Sequence, residues 1–429
     1  RELPARERAL LAAAMVLGAA VVVTYALVTR PNDLAGDQAE YHTQGLFFDQ
    51  GKLWWSTVVL GEPHATAWKA PLYPAWVGAI YSTLGPGPTK VAVIQGVLLA
   101  PLTVLLTWLL ARRWFGPQVA LASAFVIALF PLSWEFFGLL YSEALAIPLT
   151  LGVLLIALDR PRPSTARAAA AGALIGACVL VRPTSFFLIA VVGAAWFVAS
   201  GPRRGLTLTV VSAACAILVV VPWTIRNAIV LDGFVPISIQ DAAAYGTFND
   251  EAASDPVYPY AWRALPGDLE RELADDPPAS EVEFRSRLQE RAREFVLDNP
   301  ASVPQAFFWN GLSRFWDVRR PARALDETGF DGRSRAVTTA GLAAYYFLLP
   351  LAIFGLWQVR RRAGLFWPLF TLAVSISVVF TIQAGTRYRA PIEPVIVILA
   401  CSSLRPLVAR RRGTLATRPD ESVPQPAGT

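Results

Sequence analysis

Charge is scarce in this chain. Only 16% of its 429 residues are Asp, Glu, Lys or Arg, where a soluble chain carries about a quarter. That shortage, with 54% hydrophobic residues and a positive mean hydropathy, excludes an ordinary water-soluble enzyme. Lysine is scarcer still. It occurs only at Lys52, Lys69 and Lys90, so arginine carries almost all of the net charge of +6. The arginines sit in short clusters at the ends of apolar runs, which marks membrane orientation and excludes nucleic-acid binding as their purpose. Cys178, Cys215 and Cys401 lie in apolar segments with neither metal-ligand nor disulfide spacing, and read as small buried hydrophobes. There is no nucleotide-binding motif, no clustered set of metal ligands, and no internal repeat like the paired halves of secondary transporters.

What is present is a series of apolar runs, at roughly 9–29, 89–111, 118–138, 142–158, 168–182, 184–200, 206–223, 336–358, 365–383 and 391–407. They predict an all-α polytopic membrane protein with about ten transmembrane helices. The first run follows Arg1, Arg6 and Arg8, is longer than a signal-peptide core and lacks a small-residue cleavage site, so it is expected to remain as the first helix. The two runs split by Arg182–Pro183 fall short of the roughly 20 residues of a full span, which leaves half-spanning segments open. With the N-terminus inside, the cytoplasmic connections hold Arg112–Arg113; Arg160, Arg162 and Arg167; Arg203–Arg204; Arg360, Arg361 and Arg362; and Arg405 with Arg410, Arg411 and Arg412. All are short and arginine-rich, as the positive-inside rule requires, which places both termini inside.

The opposite side receives two long connections, 30–88 and 224–335, and loops of that length are functional or separately folded. The expected organisation is a transmembrane catalytic half (1–223) containing the first outer loop, an extracytoplasmic segment (224–335), C-terminal transmembrane helices (336–407) and a disordered tail (408–429). Within the outer segments, Gln38–Gln50 predicts an interfacial helix and Ser280–Leu297 a charged helix ended by Pro300. Val303–Trp316 predicts an aromatic amphipathic helix lying on the membrane surface.

Four polar groups fall on this outer side. In the first, Asp37, Glu40 and Tyr41 share one helix face, with His42 beside them. Two carboxylates so placed are expected to repel and raise one pKa, as suits a general base, although a plain acidic helix start is the alternative. The second is Trp68–Lys69–Ala70–Pro71–Leu72–Tyr73–Pro74, where the lysine offers three donors to a phosphate at headgroup depth. Its alternative is a snorkelling anchor, a role arginine fills elsewhere in this chain. The third is Arg387–Tyr388–Arg389 leading to Glu393. Its arginines stand against the orientation bias, for which binding an anion is the natural reason. The fourth gathers Tyr141, Glu143, Arg182 and the Pro222–Trp223…Arg226–Asn227 sequence, where a structural Glu143–Arg182 ion pair is as plausible as a substrate role.

The order of these features resembles the GT-C class of membrane glycosyltransferases, specifically the superfamily of protein O-mannosyltransferases and lipid A aminoarabinose transferases. The resemblance lies in Asp37 to Tyr41 after the first helix, Lys69–Ala70–Pro71–Leu72–Tyr73–Pro74, Ser142–Glu143, Arg182–Pro183, and Pro222–Trp223–Thr224–Ile225–Arg226–Asn227 running into Phe234–Val235–Pro236. It implies a GT-C-like bundle with interfacial helices in the first outer loop, in the inner (plasma) membrane of a bacterium. It further implies transfer of a sugar from a polyprenyl-phosphate donor to an acceptor hydroxyl on the extracytoplasmic face, with inversion. Asp37 would be the general base, with Glu40 next to it. Lys69, Arg387, Arg389 and Arg226 would hold the donor phosphate, and Tyr41, His42, Tyr73, Glu143, Arg182, Asn227 and Tyr388 would line the substrate cavity. No metal or other cofactor and no nucleic acid enter this scheme; the partners are the lipid-linked sugar, an acceptor and membrane lipid. The chain departs from the protein mannosyltransferases in two respects. Gln38 and Ala39 separate its carboxylates, and it lacks their large sugar-binding β domain, so lipid, cell-wall glycan and protein acceptors all stay open. The alternative is a transporter or flippase of lipid-linked sugars.

The orientation is checked by cysteine labelling in intact cells. Thiols introduced at Ser254 and Asp276 are expected to react with an impermeant reagent, and one at Thr165 is expected not to. The reverse pattern inverts the topology.

Overall fold

The structure, a computed structural model, describes residues 3–29, 34–158, 163–265, 267–319 and 322–404. Arg160, Arg162, Arg405, Arg410, Arg411, Arg412 and the expected 408–429 tail lie outside the described residues. Within the described residues, every apolar run contains helix. Among the described residues, five helices are long and apolar enough to cross a membrane: Ala5–Thr29, Pro88–Phe115, Pro183–Ser200, Pro202–Val230 and Arg335–Gln358. A sixth is made by Pro117–Leu129 and Pro131–Gly138, which meet at a bend of 65°. Pro131 causes the bend: Phe130 before it is extended (φ −77°, ψ 111°), as the residue preceding proline prefers. The shorter apolar helices Glu143–Ala157, Thr165–Val181, Ala363–Val379 and Glu393–Ser403 pack among these. The protein is a multi-pass, all-α membrane protein.

Its tight turns follow from local sequence. Gly116 (φ 94°) and Gly201 (φ 76°) each end one helix in a left-handed conformation that costs glycine little. The proline that follows each opens the next helix, where its missing N–H is no loss. Arg112–Arg113 and Arg203–Arg204 flank these two hairpins.

Helices meet where small residues let backbones approach. Gly172 and Gly176 lie one turn apart on the Thr165–Val181 helix. A Cβ at Gly172 would collide with the Ser212 backbone of the Pro202–Val230 helix, and one at Gly176 would meet Ala216 and Val219. Gly355 is pressed in the same way against Leu399 of the last helix.

On the expected outer side, the first loop contains the helix Asp37–Asp49, a two-stranded antiparallel ribbon (Trp55–Ser56 with His64–Ala65) and the helix Leu72–Leu84. The segment after Val230 builds a second core from Val235, Ile239, Tyr245, Phe248, Tyr260, Phe284 and Leu288, which also takes in Ala67 and Trp223. The charged helix spans Glu281–Asp298, close to expectation. The expected surface helix over Val303–Trp316 is corrected. It is a short α-helix, Ser302–Ala306, that widens into a π-helical stretch, Phe307–Arg314. Its inner face is anchored to neighbouring elements, where Asn310 Nδ2 donates to the carbonyls of Tyr260 (2.8 Å) and Thr381 (2.7 Å). Val303, Phe308 and Leu312 remain exposed.

Gly172→Leu is expected to destabilise the fold by about 1–3 kcal/mol or more, since the side chain must displace backbone. A melting curve of the purified protein in detergent reads this, and an unchanged midpoint would show that the helix pair is not closely packed.

Candidate active site

Each charged side chain singled out in the sequence stands at a helix end or in a loop on one side of the bundle. Asp37 is the first residue of its helix, after the turn at Gly36 (φ 52°). Lys69 lies just ahead of Pro71, which caps the Leu72–Leu84 helix. Glu143 opens the Glu143–Ala157 helix. Arg182 is extended (φ −146°, ψ 112°) after Val181 because Pro183 follows it. Arg387 lies in a 3-10 turn, Thr386–Ile392, ahead of the last helix.

These ends converge. Lys69 Nζ lies 2.6 Å from Asp37 Oδ1 and 2.7 Å from Glu40 Oε2. Arg387 pairs with the other oxygen of Asp37, with Glu143 at 3.0 Å and with Asp331 at 3.4 Å. Arg182 pairs with Glu143, as the ion-pair reading expected. Arg333 closes the group behind Asp331 at 3.2 Å. Four carboxylates thus face four cations, and no charge in the group lacks a counterion. Aromatic rings line it: Tyr388 lies between Arg182 and Arg387, each 5.1 Å from its centroid, and Tyr141 lies 4.9 Å from Arg387. Lys69 stands 5.7 Å from the Tyr41 ring.

Electrostatics reverse one expectation. Burial opposes the charge on Asp37, but Arg387 and Lys69 outweigh it and hold the carboxyl well below its ordinary range. The predicted mutual repulsion of Asp37 and Glu40 does not act, because Lys69 stands between them and Trp68 Nε1 donates to Glu40 Oε2 at 2.8 Å. Burial likewise opposes the charge on Lys69, and Asp37 and Glu40 overcome it, raising the ammonium above its usual range. Arg387 is raised by Asp37 and Glu143 against the same burial penalty.

Not every expected residue joins. Arg389 is fully buried on the far side of its turn, bound to Glu393 (2.5 Å), Asp317 (2.8 Å) and the Phe315 carbonyl. It anchors the turn, and its guanidinium is closed off from the group around Asp37 by burial. His42 faces away, with Nδ1 2.8 Å from the Tyr81 hydroxyl. Tyr73 is buried beneath Tyr41 and donates to Gln95 Oε1 at 2.9 Å. Asn227 holds backbone, donating to Val235 O at 3.0 Å. Arg226 stands at the rim. It is stacked 4.8 Å from the Trp223 ring and donates to the Thr66 carbonyl at 2.9 Å. No carboxylate pairs with it among the described residues.

Sequence reasoning missed Asp331, Arg333 and Gln38. Gln38 Nε2 donates to the Asp331 carbonyl at 2.8 Å, and its Oε1 accepts from Leu140 N at 3.3 Å, so it ties three segments together. The signal for Asp331–Gly332–Arg333 was available, since these residues sit at the outer end of an apolar run like the other charged groups. Among the described residues, no group of three His, Cys, Asp or Glu side chains is placed to hold a metal ion.

A helical bundle whose charged helix ends and first-loop helix converge on one face is like the GT-C fold that the sequence resemblance implies. The sequence model of the dolichyl-phosphate-mannose-protein mannosyltransferase family matches residues 69–225. Among solved structures, the archaeal oligosaccharyltransferase AglB from Archaeoglobus fulgidus, in complex with an inhibitory peptide and a dolichol-phosphate, is similar with a TM-score of 0.57 at 15% identity, covering 98% of this chain and 52% of that one. ArnT from Cupriavidus metallidurans bound to undecaprenyl phosphate gives a TM-score of 0.53 at 17% identity, covering 93% of this chain and 61% of that one. At these identities the likeness is one of fold, and the chain spans about half the length of the oligosaccharyltransferase. No curated protein matches the sequence.

The two arginines of the 386–392 turn are expected to differ on substitution. Arg389→Ala strands buried Asp317 and Glu393, a loss of about 3–5 kcal/mol. In Arg387→Ala each acid keeps another donor, Asp37 with Lys69, Glu143 with Arg182 and Asp331 with Arg333. Melting in detergent separates the two, and equal losses would contradict the division of roles.

Proposed function

We propose that the chain is a GT-C glycosyltransferase of a bacterial inner membrane. It transfers a sugar from a polyprenyl-phosphate donor to an acceptor hydroxyl on the extracytoplasmic face. The observation that carries this reading is the shared hold of Lys69 and Arg387 on Asp37, two cations from opposite ends of the chain meeting one carboxylate at the membrane boundary. The fold likeness to proteins solved with dolichol-phosphate and undecaprenyl phosphate and the family match over residues 69–225 support it. Arg226, with only carbonyl and ring partners, extends the cationic surface toward the donor.

The resting ion pairs suit this chemistry. A carboxylate clamped by two cations is a weak base. A donor phosphate arriving at Lys69 and Arg387 competes with Asp37 for both, so the carboxyl recovers basicity when the leaving group is in place. The acceptor oxygen then attacks the anomeric carbon, its proton passes to Asp37, and the carbon–oxygen bond to phosphate breaks with the electron pair on the departing polyprenyl phosphate. A single displacement inverts the anomeric centre. Charge grows on the phosphate as it leaves, and fixed cations stabilise that growth without reorganising. The scheme calls for no metal or other cofactor. The acceptor is a lipid, a cell-wall glycan or a protein hydroxyl.

Asp37→Asn is expected to abolish transfer while leaving the fold and undecaprenyl phosphate binding in place, as read by turnover and binding in purified protein. Lys69→Ala and Arg387→Ala are expected to weaken that binding more than tenfold, matching the roughly 2–5 kcal/mol of a partly desolvated charge contact. The remote Arg287→Ala serves as control, and equal behaviour of the three alanine variants would remove the phosphate site.

A further inference from the structure

Lys69 stands on one short piece of chain and Arg226 is bound to it, and what holds that piece is a residue far outside the site. The Glu281 side chain is 1% exposed and begins the charged helix, behind the Ser280 cap. Both its oxygens face the segment before Lys69. Oε1 meets His64 Nε2 at 2.9 Å and accepts the Thr66 hydroxyl; Oε2 accepts the backbone N–H of Ala67 at 2.8 Å. Thr66 passes the constraint on. Its carbonyl receives Arg226 at 2.9 Å and its hydroxyl oxygen receives the Trp68 N–H at 2.8 Å. The next residue is Lys69, and the Trp68 indole binds Glu40. One carboxylate therefore fixes the stem that carries Lys69 and that presents the Thr66 carbonyl to Arg226.

The His64 ring adds a condition. Its Nδ1 lies 2.8 Å from the Glu62 carbonyl oxygen and its Nε2 lies 2.9 Å from Glu281 Oε1. A carbonyl and an ionised carboxylate both only accept, so both ring nitrogens must carry hydrogen, which is the imidazolium form. The charged groups facing the ring are Glu281 from the helix and Glu62 from its own turn, with Arg226 reaching Glu281's field across Thr66.

We propose that Glu281 is a positioning residue for the donor site, and that His64 in its imidazolium form latches the Lys69-bearing segment to it, so that donor affinity depends on His64 protonation. This rests on Lys69 and Arg226 meeting the donor phosphate, as argued above. Burial works against the His64 charge, but Glu281 raises its pKa above the ordinary value. The latch is therefore complete below the ordinary histidine range and is lost as pH rises through the raised value.

The test is binding of undecaprenyl phosphate to the full chain in detergent, read by tryptophan fluorescence at pH 6 and pH 8.5. The lipid phosphate itself titrates in this interval, with a second pKa of about 6, so the readout is the ratio of variant to wild-type affinity at each pH. His64→Lys keeps a cation at both pH values. It is expected to match wild type at pH 6 and to exceed it about three- to tenfold at pH 8.5. His64→Gln is expected to bind about three- to tenfold more weakly at pH 6 and to converge on wild type at pH 8.5. Glu281→Gln is expected to resemble His64→Gln. If that buried substitution prevents folding, the two His64 variants decide alone, their melting midpoints at pH 8.5 serving as the fold control. Ratios that do not change with pH overturn the latch while leaving the donor site standing. A wild-type protein that binds no undecaprenyl phosphate at either pH overturns the donor site and the latch together.

Discussion

The Asp37 carboxylate is the point at which the outer half of the molecule is joined. One oxygen takes Lys69 from the first loop. The other takes Arg387, 350 residues further along the chain. Asp37 opens its helix, so its charge also meets the favourable end of the helix dipole. Remove this residue and the first loop loses its direct tie to the turn before the last helix, whose Arg387 also holds the Glu143 helix. Ionisable groups at the edge of a lipid phase persist only if they are neutralised in place, and here neutralisation brings the three elements to one spot.

Neutrality is reached by pairs that the proposed donor phosphate would exchange. Lys69, Arg387 and Arg182 are held by carboxylates of residues that are at most 22% exposed, so each cation is ordered and charged before a ligand arrives. Replacing one anionic partner by another costs less than assembling the cations afresh, which is the sense in which such a site is preorganised. The network behind Arg389 differs in kind. Asp317, Glu393 and Thr386 are closed on themselves, and their role is to fix the turn that presents Arg387.

The outer segment contributes more than a connection between two parts of the bundle. It sends Asp331 into the ion network and Glu281 to the stem of Lys69, and it shares its hydrophobic core with Ala67 and Trp223. The Glu281 contacts to His64, Thr66 and Ala67 and the core shared with Ala67 thus tie it to the first loop. That arrangement explains how residues from 64 to 69, with only a two-residue ribbon of regular structure, hold a defined course.

The membrane-spanning character and the order of the helices follow from composition and apolar run length alone. So does the gathering of polar residues on one side, because arginine bias and helix ends are local properties of sequence. Lys69 was legible because lysine is scarce, and Arg387 because it stands against the orientation bias. Sequence could not say which member of a pair faces inward. Arg387 and Arg389 are two residues apart and chemically alike, yet a 3-10 turn sends one to Asp37 and the other to Glu393. Nor could it tell that Asp37 and Glu40, neighbours on one helix face, would be separated by a lysine and not repel. Those outcomes depend on contacts between segments hundreds of residues apart, where burial makes an unpaired charge so costly that the fold, and not local pattern, selects the partner.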